Sequence, residues 1–289
     1  MPNRITTPQF LARKRKGQPI VMVTAYDAPQ GRLADAAGVD AILVGDSVGM
    51  TTLGYDTTLP VTLEDLLYHT RAVLRGQSAR RADACPDGVP TNAERARGAR
   101  HALIIADMAF GTYGASVTNG VKAGMRLIAE GGAQAVKLEG AGPVVLETIR
   151  RLVDIGVPVM GHLGMTPQSI HRFGGFKVQG KTEDAAQTLT DGAVALEQAG
   201  AFGIVLEVIP SDLARRVTGS ITIPTIGIGA GLECDGQVQV LHDLVGFTDG
   251  PAFKHARRYA ELGAALLEAI AAYSLDVRER RFPGPENFF

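Results

Sequence analysis

Five polar residues stand at the ends of short, mainly aliphatic runs in this sequence, and each of them can bind a metal ion or transfer protons. They are Asp46, Asp107, Glu139, His162 and Glu207. A strand buried in a parallel α/β fold reads as such an apolar run, and ligands bind at the carboxyl ends of these strands. One such residue alone could merely cap a turn. Because the pattern repeats, we expect the five side chains to converge on one rim.

Three of these residues are acids at the ends of neighbouring predicted strands: Asp46, Asp107 and Glu139. Crowded carboxylates repel one another and take up protons unless a cation neutralises them. An oxygen-rich site without cysteine favours Mg²⁺ over zinc, and Mg²⁺ typically takes one or two protein carboxylates and keeps water or substrate as further ligands. The cluster therefore predicts a Mg²⁺ site, although each acid alone could equally be a cap or a surface group.

The remaining polar residues of the predicted rim suggest catalysis. Glu207 lies across the rim from the acid cluster and is a candidate general base. Lys137 lies within the strand that ends at Glu139, where an ammonium could hold a substrate carboxylate or simply pair with an acid. His162 could be a functional group or a satisfied core residue. Spacing alone thus predicts a metal-dependent enzyme that acts on a small oxo-acid.

The elements that must position these residues alternate along the chain. Apolar runs predict eight strands, most of them followed by helices, which favours one (β/α)₈ TIM barrel over residues 1–289. A doubly wound sheet would instead concentrate its ligand residues at one switch point. The predicted strands are Ile20–Thr24, Ala41–Val44, Ala102–Ala106, Ala135–Leu138, Val157–Met160, Gly203–Leu206, Thr225–Ile228 and an eighth within Val238–Val245.

Three further segments are predicted outside the repeating units. A short basic helix over Thr6–Arg15 is expected to lie outside the core, and a helical extension over Phe253–Tyr273 is expected near the C-terminus. Residues 77–100 are rich in Ala and Arg and contain one large aliphatic residue, Val89. Such a segment cannot bury a face of its own, so we expect a surface insertion within the single domain.

Composition excludes several functional classes. Hydrophobic residues make up 45% of the 289 residues and charged residues 20%, and the net charge is −1, so nothing indicates a nucleic-acid or membrane surface. The two cysteines, Cys85 and Cys234, form no CxxC pair, which argues against a disulfide framework or a zinc site. Because no long apolar run or leader pattern is present, we expect a cytoplasmic location.

Two glycine-rich segments resemble nucleotide-binding motifs but lack a feature that each motif requires. Gly175–Thr182 (GFKVQGKT) satisfies the phosphate-loop pattern, but the polar segment before it contains a proline and cannot be the buried strand that a phosphate loop requires. The alternative that this match implies is a phosphate-loop nucleotidase, and a measurement of ATP binding would test it. Gly227–Gly231 (GIGAG) fails the dinucleotide fingerprint because Leu232 takes the place of its last glycine, so a tight turn after a strand is expected there.

The sequence resembles the ketopantoate hydroxymethyltransferase family in seven ordered motifs. They are VGDS at Val44–Ser47 with GYDTTLP at Gly54–Pro60, IADMAF at Ile105–Phe110, VKLEG at Val136–Gly140, GHLGMTPQS at Gly161–Ser169, GGFKVQG at Gly174–Gly180 and TIGIGAG at Thr225–Gly231. The resemblance runs from about Thr7 to the Phe282–Gly284 tail. Two departures are Met108-Ala109 in place of Leu-Pro, and a longer 77–100 segment than the family link.

The resemblance implies transfer of a hydroxymethyl group from 5,10-methylenetetrahydrofolate to 3-methyl-2-oxobutanoate. The product would be 2-dehydropantoate, formed in pantothenate biosynthesis through a Mg²⁺-stabilised enolate. It also implies a cytoplasmic homo-oligomer, often a decamer. The residue roles it implies are Asp46 and Asp107 as Mg²⁺ ligands with Glu139 close by, Ser47 and Lys137 in contact with the oxo-acid, His162 near the substrate, and Glu207 as the proton acceptor.

Two other classes remain as alternatives. A Mg²⁺-dependent carbon–carbon lyase of the phosphoenolpyruvate mutase and isocitrate lyase type would share the barrel and the metal. Those enzymes usually carry a catalytic cysteine in a motif such as KxCG, which this sequence lacks. A non-catalytic binding barrel is the other alternative, and the five polar rim residues argue against it.

Overall fold

Eight parallel strands close into a barrel in a computed structural model that describes residues 4–78, 101–248 and 253–289. Each strand pairs with the next in the chain, and the eighth pairs with the first. This confirms the predicted (β/α)₈ class. The strands are β1 Ile20–Thr24, β2 Ala41–Val44, β3 Leu103–Asp107, β4 Ala135–Glu139, β5 Val159–Gly164, β6 Gly203–Glu207, β7 Thr225–Ile228 and β8 Gly236–Gln239.

The strand register places the polar residues side by side at the carboxyl ends. Asp107 of β3 is paired with Lys137 of β4, and Glu139 of β4 is paired with His162 of β5. Glu207 is the last residue of β6 and is paired with Gly164 of β5. Convergence of the rim residues is therefore a consequence of parallel pairing with little offset between neighbours.

Helices connect the strands and begin at the capping signals of the sequence. Asp27 accepts the N–H of Gln30 at the start of α2, and Ser116 and Thr182 cap later helices in the same way. Pro143 occupies the first turn of its helix, where its missing N–H is not needed. The helices up to β8 are α1 Thr7–Arg15, α2 Ala28–Ala36, α3 Val48–Thr51, α4 Leu63–Ser78, α5 Val117–Ala129, α6 Pro143–Asp154, α7 Ile170–Phe173, α8 Glu183–Gln198 and α9 Ser211–Ser220.

The first helix corrects one expectation, because α1 contributes to the core rather than lying outside it. Phe10 is completely buried and packs edge-to-face on Phe202, with 5.6 Å between the ring centroids. It belongs to the same apolar cluster as Ile20, Leu103 and Ile226 from the barrel strands. One large aromatic residue is enough to anchor an otherwise basic helix, and a periodicity search gives it little weight.

Several predicted bounds are also wrong. Strand β5 begins at Val159 and runs to Gly164, so His162 lies within the strand rather than after it. Strand β8 occupies Gly236–Gln239, ahead of most of the predicted window. The phosphate-loop match follows the short helix α7 instead of a strand, and GIGAG begins in the last two residues of β7 and continues into the turn after it.

The chain divides into two compact units, Met1–Gln239 and Val240–Phe289. The second contains α10 Leu241–Leu244, α11 Leu262–Arg278 and a 3₁₀ turn at Pro285–Asn287. Helix α11 begins later than the predicted Phe253 and extends beyond Tyr273. No helix of the described residues is long and apolar enough to cross a bilayer. Most of the predicted insertion at 77–100 lies outside the described residues, and both the insertion and the single-domain assignment stay predictions.

Candidate active site

The first two acids meet directly at the carboxyl ends of β2 and β3. The backbone N–H of Asp46 donates to Oδ2 of Asp107 at 2.9 Å, and both side chains are buried. Gly45 makes this approach possible, because a Cβ at that position would stand 3.2 Å from Asp107 Oδ2 and 3.0 Å from Ser47 Oγ. The turn after β2 thus fixes the position of one acid through the backbone of the other.

Lys137 projects from β4 into the middle of the acids. Its Nζ lies 3.0 Å from Asp107 Oδ1, off the direction of a hydrogen bond, and donates to His162 Nδ1 at 3.2 Å. Burial lowers the pKa of Lys137, but three nearby carboxylates outweigh burial and raise it overall: Asp107, Glu139 and Asp46. The buried ammonium therefore remains charged.

The contact with Lys137 determines the protonation state of His162. A charged ammonium can only donate, so His162 Nδ1 must accept, and the proton of the neutral imidazole lies on Nε2. Burial and the Lys137 charge also lower the pKa of His162. Its Nε2 lies 3.1 Å from Glu207 Oε2, off the direction of a hydrogen bond. His162 is thus a neutral group between the ammonium and the candidate base.

Glu207 is held by a strained backbone. Val208 has φ of +47°, a left-handed conformation that costs a β-branched residue about 1–3 kcal/mol. Its N–H donates to Ile228 O at 2.8 Å, and its carbonyl accepts from Gln179 N at 3.0 Å. Burial raises the pKa of Glu207, and the neighbouring His162 partly offsets that rise. A carboxylate with a raised pKa is suited to accept a proton near neutral pH.

Ser47 has a buried partner that sequence reasoning missed. The Tyr26 hydroxyl lies 2.8 Å from Ser47 Oγ, and Tyr26 is almost completely buried at the end of β1. Burial raises the pKa of Tyr26 to about 12, so the phenol stays protonated. A donating Tyr26 leaves the Ser47 proton available for a ligand oxygen.

Gln168 and Tyr113 were also missed. Gln168 lies in the 3₁₀ turn Pro167–Ser169 after β5, and its Nε2 donates to Asp46 Oδ2 at 2.8 Å. The Tyr113 hydroxyl donates to Gln168 Oε1 at 2.7 Å and accepts from the backbone N–H of Glu139 at 3.1 Å. Nothing in the spacing of these polar loop residues signals such a role, and only the GHLGMTPQS motif covers Gln168.

The acid cluster has the oxygen atoms that a hard cation needs. Asp107 Oδ1 and Glu139 Oε1 are buried and accept no hydrogen bond. Burial raises the pKa of Asp46 well above its ordinary value and that of Glu139 to about 7, and the Asp107 carboxylate adds to both rises. Within the described residues no three His, Cys, Asp or Glu side chains form a ready-made metal site.

All seven residues predicted for the site lie at the carboxyl rim of the first unit. Direct contacts join Asp46 to Asp107, Asp107 to Lys137, and Lys137 to His162, which in turn lies between Glu139 and Glu207. Ser47 follows Asp46 in the chain. Barrel enzymes have their active sites at this rim, built from the ends of several strands. The chain is an enzyme of the (β/α)₈-barrel class.

Sequence comparison identifies the family within that class. The family model described as ketopantoate hydroxymethyltransferase matches residues 4–84 and 89–285. Two relatives, each named 3-methyl-2-oxobutanoate hydroxymethyltransferase, come from Anaeromyxobacter sp. (strain Fw109-5) and Moorella thermoacetica. They are 49% and 47% identical to this chain, with 99% of this chain and 88% and 98% of theirs covered. The chain belongs to the ketopantoate hydroxymethyltransferase family, which confirms the predicted enzyme activity.

The lyase alternative has structural relatives but no sequence support. The crystal structure of 2,3-dimethylmalate lyase, a phosphoenolpyruvate mutase/isocitrate lyase superfamily member, matches with a TM-score of 0.54. The match covers 98% of this chain and 91% of that chain, but only 15% of residues are identical. Such a likeness shows a shared barrel fold and nothing about the reaction.

Proposed function

We propose that this chain transfers the hydroxymethyl group with Glu207 as general base and the acid cluster as a Mg²⁺ site. The acceptor would be 3-methyl-2-oxobutanoate, the one-carbon donor 5,10-methylenetetrahydrofolate, and the product 2-dehydropantoate. The observation that carries the proposal is the placement of Glu207 apart from the other acids, across a neutral imidazole, 3.1 Å from His162 Nε2. Because the neutral imidazole separates Glu207 from the acid cluster, Glu207 can accept a proton while the other acids bind the metal ion.

The residues that would hold the metal are Asp46 and Asp107, with Glu139 close by and able to act through a water molecule. Asp107 Oδ1 and Glu139 Oε1 support this assignment, because both are buried and accept no hydrogen bond from the described residues. When bound, Mg²⁺ would stabilise the negative charge that develops on the oxo-acid as it becomes an enolate.

Lys137 and Ser47 would hold the oxo-acid. Only one N–H of the Lys137 ammonium is used by His162, so others can donate to a substrate carboxylate or keto oxygen. Ser47 Oγ, backed by the Tyr26 hydroxyl at 2.8 Å, can donate to the same substrate. These groups would keep C3 of the oxo-acid facing Glu207.

Glu207 would remove the C3 proton. That proton is weakly acidic, because only the adjacent ketone can accept the charge, so an exposed carboxylate with an ordinary pKa would be a poor base. The raised pKa of Glu207, caused by burial, increases its proton affinity. His162, neutral and with its proton on Nε2, would orient the carboxylate without supplying the base itself. C3 would then form a bond to the one-carbon unit of the folate, whose two bonds to folate nitrogens break to release tetrahydrofolate, while water supplies the hydroxyl oxygen of the product.

The test isolates proton abstraction. Exchange of the C3 proton of 3-methyl-2-oxobutanoate into D₂O, without folate, should be fast in the wild type and lost in Glu207→Gln, which keeps the shape but cannot accept a proton. Glu147→Gln is the matched control, since Glu147 forms surface ion pairs with Arg150 and Arg151 on helix α6. Wild-type exchange in Glu207→Gln would contradict the assignment and make His162 the next candidate.

We also propose a homo-oligomer, with a decamer as the expected size. Helix α11 supports it, because apolar side chains at helical spacing are exposed along one face: Leu262, Leu266, Ile270, Tyr273 and Val277. Native mass spectrometry should show a single large assembly. Leu266→Glu with Ile270→Glu should dissociate it, whereas Glu268→Lys, on another face of the helix, should not.

A further inference from the structure

The hydrogen bonds of Gln168 link two acids that are far apart in the sequence. Its side-chain Nε2 donates to Asp46 Oδ2 at 2.8 Å, and its backbone N–H donates to Glu139 Oε2 at 3.0 Å. Asp46 follows β2, Glu139 ends β4, and Gln168 lies in the turn after β5. One residue of a loop therefore contacts two of the three acids proposed to hold the metal.

The orientation of the Gln168 amide is fixed by its partners. Besides Asp46, Nε2 donates to the carbonyl of Met108 at 3.0 Å, while Oε1 accepts from the Tyr113 hydroxyl at 2.7 Å. A flipped amide would place its oxygen against two acceptors and lose both bonds. The Tyr113 hydroxyl accepts a hydrogen bond from the backbone N–H of Glu139, which leaves its proton to be donated to Gln168 Oε1. The amide is thus held in a single orientation.

Through these hydrogen bonds, Gln168 occupies one carboxylate oxygen of Asp46 and one of Glu139. Gln168 occupies Oδ2 of Asp46 and Oε2 of Glu139, whereas Oε1 of Glu139 is buried without a hydrogen bond. A carboxylate with one oxygen fixed can rotate little, so its second oxygen points in a constant direction. Partners of this kind orient metal ligands and commonly change metal affinity by ten- to hundredfold.

We propose that Gln168 is a positioning residue that orients Asp46 and Glu139 toward the divalent cation and so sets the affinity for that cation. Tyr113 supports it by fixing the amide oxygen. The proposal rests on the proposed metal site and adds a residue that contacts neither the metal nor the reacting atoms. Its signature is a weaker metal affinity with a turnover that recovers once the metal is in excess.

Gln168→Met tests the side chain alone, because it removes all three hydrogen bonds of the side-chain amide while the backbone N–H to Glu139 remains. We expect the Mg²⁺ concentration for half-maximal activity to rise about ten- to hundredfold. The Mg²⁺ concentration needed for a given rise in Tm, measured without substrates, should increase by the same factor. The kcat at saturating Mg²⁺ should change far less. The matched control is Gln187→Met, since the Gln187 amide contacts Asp191 on a helix surface.

Tyr113→Phe gives a second route to the same answer. It should weaken Mg²⁺ binding less than Gln168→Met, and it should add little in the double variant, because both changes remove the same contact between Tyr113 and Gln168. An unchanged Mg²⁺ dependence in Tyr113→Phe overturns the proposal even if Gln168→Met fails to fold.

The outcomes separate the two proposals. A wild-type protein whose Tm and activity ignore Mg²⁺ would overturn the metal assignment and the role of Gln168 with it. A wild-type response that Gln168→Met retains in full would overturn only the role of Gln168. Equal losses of kcat at all Mg²⁺ concentrations would indicate structural damage and likewise reject positioning.

Discussion

Buried acids lie at both ends of the barrel strands, and the two ends satisfy them differently. At the amino end, the Asp35 carboxylate of helix α2 accepts hydrogen bonds from three protein groups. These are the N–H of Ala102 at 2.7 Å, Gln77 Nε2 at 3.2 Å and His101 Nδ1 at 2.7 Å. At the carboxyl end, Asp107 and Glu139 are as deeply buried, yet each has one oxygen without a hydrogen bond.

The difference distinguishes an acid that stabilises the fold from acids that serve a ligand. A carboxylate whose oxygens are all paired contributes to stability, because its donors would otherwise be buried without acceptors. A buried oxygen that accepts no hydrogen bond instead costs stability, although the Lys137 ammonium 3.0 Å from Asp107 Oδ1 offsets part of that cost. Asp35 holds the end of α4 and the start of β3 together, whereas the rim acids form a site that protein groups alone do not complete.

The largest effect is expected from Asp107→Asn at the carboxyl end. Loss of one metal-binding oxygen should lower turnover by about a thousandfold, which corresponds to several kcal/mol of lost electrostatic stabilisation. Tm without metal should stay the same or rise, because one negative charge leaves a crowded cluster. Steady-state kinetics at limiting and excess Mg²⁺, with thermal unfolding, give both quantities. Wild-type activity at limiting Mg²⁺ would show that Asp107 is not a ligand.

The same substitution at the amino end should do the opposite. Asp35→Asn should lower the free energy of unfolding by about 1–3 kcal/mol, because an amide cannot accept from all three donors. The kcat per folded molecule should remain at the wild-type level. Denaturant unfolding and kinetics on the purified native fraction measure the two effects. A loss of turnover with unchanged stability would contradict the distinction between the ends.

A smaller effect is expected on the pH dependence. Burial raises the pKa of Glu207 and the nearby His162 lowers it, so His162→Asn, which removes the imidazole 3.1 Å from Glu207, should raise it further. Since only ionised Glu207 can accept a proton, activity is lost as pH falls through this pKa. The acidic limb of the kcat profile should therefore move to higher pH. His162→Gln, whose amide can reach Glu207, should leave the limb nearer its wild-type position, and an unmoved limb in both variants would exclude the contact.

The smallest effect is expected from the segment after α4. Its flanking residues, Gln77 and His101, are both held by Asp35 at the amino end, opposite the rim. Replacing residues 78–97 with a short Gly-Ser link should leave kcat and the KM for the oxo-acid within about twofold, since long surface links contribute little to stability. A large fall in kcat in a variant that assembles normally would show that the segment reaches the active site.

Much of the architecture could be predicted because its signals are local. Apolar runs identified the strands, and the residue after each run identified Asp46, Asp107, Glu139 and Glu207 at the rim. The failures have a common origin in long-range contacts. Phe10 packs on Phe202, far along the chain, and Gln168 bonds to Asp46 across the rim. Neither contact leaves a periodic pattern near the residue itself.

The sequence by itself determined the (β/α)₈ class, the family and the set of titratable residues at the rim, because strand periodicity and strand ends are properties of neighbouring residues. Only the tertiary structure decided how those residues interact. The ammonium of Lys137 sets the tautomer of His162, and the Tyr113 hydroxyl and Gln168 amide fix which oxygens of Asp46 and Glu139 are bound. Hydrogen-bond direction depends on distances between side chains from different strands and loops, and closure of the barrel sets those distances.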